Sequence, residues 1–256
     1  MVPFSCSGAR ADYDYELQFC QTLTAQCSGD EISHSADARV FRSEDALSIL
    51  HLLNGTPYAL SREQPDRTTI FLPESSLGKP WHPYFLPDLL HLERPLLRRN
   101  CFVLHAAYIV AGDEAILFTA PSGGGKSTQA GLWETGRGAR IINGDKCAVG
   151  KQDGIWFAHG LPVSGSSPHC LNESHPIRAI VILEKAPENT LYPLALSGFS
   201  RVLSQTVMNT WDAAFCGRAM ELVAQTCQEI PVFLFRCTKT PDAADSLYHA
   251  LFEKEK

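Results

Sequence analysis

Residues 115–128, AILFTAPSGGGKST, constrain this chain more than any other stretch. Five apolar and β-prone residues, three consecutive glycines, and Lys-Ser-Thr opening a helical pattern read as strand, turn and helix start. Gly123, Gly124 and Gly125 lack a Cβ and can take positive φ, so successive backbone N–H groups can turn inward around an anion. The following helix, predicted over 127–134 and ending at Gly136 and Gly138, brings the positive end of its dipole to the same point. Lys126 adds a point charge, and the Ser127 hydroxyl can ligate a divalent metal. These are the parts of a phosphate-binding P-loop, or Walker A motif. Ser122, Gly123, Gly124, Gly125, Lys126, Ser127 and Thr128 are therefore the candidate contacts for ATP with Mg²⁺. One departure stands out: Ala120 occupies the motif's first glycine position.

Around this loop the chain divides near residue 97. Residues 1–97 read as a small N-terminal α+β domain and 98–256 as the nucleotide-binding domain, giving an α/β fold of mixed type. In the first part, 13–19 alternate in strand fashion and 68–72 form another strand. Leu47, Leu50 and Leu53 recur at helical spacing, which predicts a helix within 44–53. The segment 73–87, rich in proline and aromatics, reads as a loop, and 89–99 as a helix that Pro95 kinks or splits. In the second part, 102–110 and 115–119 read as strands joined by a Gly112-Asp113 hairpin. Residues 141–142, 155–158, 177–184 and 232–237 read as further strands, and 200–208, 211–227 and 241–253 as helices.

Composition narrows the function classes. A length of 256 residues suffices to bury a sizeable core. The formal net charge of -6 argues against non-specific nucleic-acid binding, which needs a basic surface. No apolar run is long enough for a membrane span, and the first residues lack the basic-then-apolar order of a secretory signal. The cysteine count of nine is odd and contains no CxxC pair, so reduced cysteines in a cytoplasmic protein are expected.

Phosphoryl transfer needs a carboxylate to hold a metal or orient the attacking group. Asp145 stands 19 residues after Lys126, at the end of the apolar run RIING. A strand returning beside the P-loop strand would deliver it to the metal. Asp153, next to Gly154, reads as a surface turn. His105 lies inside the apolar run leading into the P-loop strand; it is either a satisfied core histidine or a proton-transfer group.

Leu104-His105-Ala106, the P-loop, and Arg137-Gly-Ala-Arg-Ile-Ile-Asn-Gly-Asp145 together resemble the kinase core of HPr kinase/phosphorylase. HPr-kinase-like enzymes of ribosomal-peptide gene clusters are similar to it, and the wider superfamily includes ATP-dependent phosphoenolpyruvate carboxykinase. The resemblance covers roughly residues 101–185. It implies that His105 lies beside the phosphates and that Asp145 matches the second aspartate of a pair serving metal and base roles, with Gly144 in place of the first. It further implies a kinase that transfers the γ-phosphate of ATP to a hydroxyl, that of a serine in a peptide or small protein. Lys126, Asp145 and His105 would then be catalytic, and Ser127 and Asp145 the metal ligands. A peptide or small protein is the expected partner, nucleic acid and membrane are not, and a homo-oligomer is left open. The missing carboxylate at 144 keeps a second class in view: a nucleotide sensor without transfer activity.

Overall fold

The structure is a computed structural model that describes residues 12–78, 88–165, 167–195 and 197–253. It is a mixed α/β protein with two sheets and few helices. The described residues fall into two compact units, one ending at Pro95 and the other beginning at Leu96.

The first unit is a six-stranded sheet: β1 (Asp14–Cys20), β2 (Asp30–His34), β3 (Ala38–Arg42), β4 (Leu47–Leu53), β5 (Thr56–Glu63) and β6 (Arg67–Pro73), in the order β1-β6-β5-β4-β3-β2. All neighbours are antiparallel except β1 and β6. The helix expected within 44–53 is not there. Leu47–Leu53 is a central strand with its first six residues buried, and a strand buried on both faces reads as a continuous apolar run in which leucines also fall at helical spacing. Asn54 (φ 51°) and Gly55 (φ 76°) then make the two-residue turn into β5, the left-handed pair a tight hairpin needs. In the segment read as a loop, Pro73 ends β6 and Glu74–Ser76 forms a 3₁₀ turn, while 79–87 lies outside the described residues.

Helix α1 (Glu93–Arg98) is shorter than predicted and contains the boundary between the units. Pro95 sits in its first turn, where a missing N–H costs nothing.

The second unit is a nine-stranded sheet. Its strands are β7 (Cys101–Leu104), β8 (Ala106–Ala111), β9 (Glu114–Thr119), β10 (Arg140–Asn143), β11 (Cys147–Gln152), β12 (Ile155–Gly160), β13 (Ser174–Lys185), β14 (Thr190–Pro193) and β15 (Val232–Cys237). The twelve-residue β13 joins two parts of this sheet. Its start pairs antiparallel with β12, and its remainder runs parallel to β9 and β15. Residues alternate between two cores. Ala106, Tyr108 and Val110 face one side with helix α4 (Ala213–Glu229); Ala107, Ile109 and Ala111 face the other with α2 (Lys126–Arg137) and α5 (Pro241–Phe252). Trp133 of α2 is fully buried against Phe118, Tyr248 and Phe252 and anchors the helix that follows the P-loop. Helix α3 (Gly198–Leu203) stops well short of the predicted 208, because Thr206 pairs with Leu104 and Val207 with Val103 instead.

Strand directions place the site. β8 starts, and β9 and β10 end, at one edge of this unit, since β8 is antiparallel to both. The P-loop leaves the end of β9, His105 precedes the start of β8, and Asp145 lies just past the end of β10. The strand carrying Asp145 does not lie directly beside the P-loop strand: β8 separates them.

Candidate active site

The glycine-rich loop after β9 has the backbone its sequence demands. Gly123 (φ 73°) and Gly125 (φ 105°) are left-handed, a region costly for side-chain-bearing residues. Gly124 is required for another reason. A Cβ there would lie 2.5 Å from the Ala120 methyl and 2.9 Å from the Pro121 carbonyl oxygen. This also accounts for alanine at the motif's first position, because the methyl of Ala120 fills the space that Gly124 leaves open. α2 begins at Lys126 with Gly125 as its N-cap and no side-chain cap, so its first N–H groups are available to an anion.

Lys126 is only 8% exposed, and its Nζ donates to the Ala120 carbonyl at 2.8 Å. Burial pushes its ammonium below the usual lysine range, opposed by the negative charge of Asp145. An incoming anion would relieve that burial cost.

His105 corrects the sequence reading: it does not lie within a strand. It occupies the break between β7 and β8, where its N–H donates to the Gln205 carbonyl (2.8 Å) and its carbonyl accepts from Thr119 Oγ1 (2.9 Å). Held from both sides, it turns its ring to Asp145, with Nε2 2.9 Å from Oδ1. The two side chains are 32% and 25% exposed, half-buried but open to a ligand. The hydrogen bond from His105 holds the Asp145 carboxyl below the usual carboxylate range, against burial, with the His105, Lys146 and Lys126 charges adding to it.

One cavity of about 530 Å³ collects these groups. Its lining includes Ser122, Gly123, Lys126, Ser127, His105 and Asp145, and also Glu134, Gly144, Ser164, Ser167 and His169. Gly124 and Gly125 shape the turn without lining the cavity, and Thr128 is on the exposed side of α2. Asp153 (φ 50°) and Gly154 (φ 83°) form the β11–β12 turn, away from the cavity lining. A divalent metal fits this donor set only together with a nucleotide. Among the described residues no group of three or more His, Cys, Asp or Glu side chains could hold a metal by itself. Mg²⁺ on a triphosphate, however, asks only one or two oxygens of the protein, and Ser127 and Asp145, which both line the cavity, would be the residues to offer them.

Asn143 carries a role that the sequence reading missed. Fully buried at the end of β10, it spends all its hydrogen-bonding capacity on the site. Its Oδ1 accepts from the N–H of Asp145 (2.9 Å) and of Lys146 (3.1 Å). Its Nδ2 donates to the carbonyls of Leu161 (3.2 Å) and Val163 (2.9 Å). One side chain thus fixes both the turn that presents Asp145 and the loop between β12 and β13. That loop lies across the acid: a Cβ on Gly165 would come within 2.9 Å of Asp145 Oδ2. A Cβ on Gly144 would come within 2.1 Å of Ser167 Oγ, so with the loop in this position residue 144 has no room for a side chain. The only sequence signal for Asn143 was an amide closing an apolar strand just before Gly-Asp.

No protein-family model matches the chain, and no curated protein does. Among solved structures it is similar to the HPr(Ser) kinase/phosphatase of Coxiella burnetii, at 13% identity and a TM-score of 0.36, over 58% of this chain and 88% of that one. A likeness of that extent establishes neither a fold family nor an activity. No helix among the described residues is long and apolar enough to cross a membrane, and the eight cysteines among them are all free.

Proposed function

We propose that this chain is an ATP-dependent kinase that transfers the γ-phosphate to a hydroxyl, that of a serine in a peptide or small protein. One observation carries the proposal: Lys126, Ser127, Asp145 and His105 line a single cavity at the start of a helix whose N–H groups are uncapped. Loop amides and Lys126 would grip the β- and γ-phosphate oxygens, and the desolvated ammonium is a strong partner for them. A bound divalent cation, held by Ser127 and Asp145, would neutralise charge on the same oxygens. Asp145, kept ionised by His105, is the acceptor for the hydroxyl proton, and His105 fixes the direction of that carboxylate. Most of the catalysis is placement and charge neutralisation, since the transferring group needs little covalent help.

The nucleotide-sensor reading has one observation in its favour, the absence of a second carboxylate at residue 144, where Ser167 fills the space. Incubation with γ-labelled ATP, Mg²⁺ and serine-containing peptides separates the two. Label in a peptide that is lost with Asp145→Asn, while nucleotide binding persists, supports the kinase. Bound nucleotide with neither transfer nor hydrolysis supports the sensor.

A further inference from the structure

The loop between β12 and β13 brings two hydroxyls of the chain itself into the cavity that holds the P-loop and Asp145. Ser164 and Ser167 both line it, but their protons are disposed differently. Ser164 Oγ donates to the Ser167 carbonyl at 2.8 Å. Ser167 Oγ accepts from the His169 N–H at 3.2 Å, and among the described residues its own proton has no acceptor. Ser167 also lies against Gly144, the residue before Asp145, closely enough that a side chain at 144 would collide with it. The loop is tied down at both ends: Asn143 holds the carbonyls of Leu161 and Val163, and Leu171 N–H donates to the Ile142 carbonyl at 2.9 Å.

We propose that this loop occupies the acceptor side of the site and that Ser167 is a phosphate acceptor in cis. The inference rests on the kinase reading of the same cavity. Ser167 Oγ forms the new bond to the γ-phosphorus as the bond from that phosphorus to the β,γ-bridging oxygen breaks. The electron pair leaves on the nucleoside diphosphate, and the hydroxyl proton passes to the Asp145 carboxylate. A seryl hydroxyl presented on a tight turn, here closed by the Ser167 N–H on the Ser164 carbonyl at 2.9 Å, is then the class of group the acceptor side takes, so an added peptide must displace this loop before it can react.

The test is the full chain incubated with Mg²⁺ and ATP alone, read by intact mass and peptide mapping over a tenfold range of protein concentration. The expected result is up to one phosphate per chain, on Ser167, with a first-order rate that does not change with protein concentration. Ser167→Ala removes the label. Ser167→Thr, which keeps a hydroxyl if the alanine variant folds poorly, restores it as phosphothreonine. Phosphate on any other residue, or a rate proportional to protein concentration, overturns the inference. So does no incorporation while an added serine peptide is phosphorylated, which leaves the kinase reading standing. Bound nucleotide with no transfer and no hydrolysis overturns both.

Discussion

Replacing Asn143 with alanine removes four hydrogen bonds at the buried end of β10. Each is worth about 1 kcal/mol net, and a buried group left unpaired costs about 1–3 kcal/mol. The N–H groups of Asp145 and Lys146 belong to half-buried residues and can take up water, whereas the carbonyl of the buried Leu161 keeps only the weak donor Cys170 Sγ, at 3.2 Å. The expected loss of stability is therefore about 2–4 kcal/mol, read as a lower urea midpoint with an unchanged slope. The effect on function should be uneven. The phosphate loop does not depend on Asn143, so the nucleotide Kd should change by less than about threefold. Asp145 loses its bearing, and displacement of a catalytic group by about 1 Å can cost on the order of 100-fold in rate. Asn143→Asp keeps the acceptor oxygen but sets a carboxylate oxygen against the Leu161 and Val163 carbonyls, and it should be at least as damaging. Stability within about 0.5 kcal/mol of the parent together with an unchanged transfer rate would refute this reasoning.

Gly144→Ala puts a methyl group 2.1 Å from Ser167 Oγ; the loop must shift, at about 1–3 kcal/mol, and hydrogen exchange should quicken across 161–171 but not in the phosphate loop. Asp145 has a lowered pKa, so its stabilising contribution is present above its unfolded value of about 3.8 and is lost as pH falls through the lower folded value. Asp145 should accordingly place no limb on the pH–rate profile above about 3.8, and His105→Phe should move its titration upward, as NMR of the carboxyl carbon would report. In the N-terminal unit, burial and the neighbouring His91 charge push His51 down to about 3, opposed by Glu93. Its neutral form is held by contacts to Ser61 and His91 at 3.1 and 3.3 Å. Stability from this group is complete above about 6.5 and drains away as pH falls toward about 3, by roughly 3–5 kcal/mol in all. His51→Gln should flatten that part of the pH–stability curve, and an unchanged slope would contradict the burial argument.

How much of this was legible follows from the range of the forces involved. The glycine-rich turn and the helix start after it are written in nine adjacent residues, because positive φ, a missing Cβ and an uncapped helix start are local requirements. The strands Glu114–Thr119 and Ser174–Lys185 were legible because burial on both faces leaves long apolar runs, and Val232–Cys237 because it opens on four apolar residues in succession. The same cause misled at Leu47–Leu53, where a strand buried over its first six residues mimics helical spacing. His105 looked like part of one strand because both of its flanks are apolar; the break shows only once the residues after α3 are seen to pair with it. Asn143 and the 161–173 loop acquire their roles from partners 18–20 residues away, through bonds no local pattern encodes.

The most direct measurement is calorimetric titration of Mg²⁺ and ATP into the full chain and into Lys126→Ala. A turn of main-chain amides backed by a buried lysine should give a saturable one-site isotherm, and the variant should lose most of that affinity. No heat with any nucleotide, or equal binding by Lys126→Ala, would contradict the assignment of this cavity to a triphosphate.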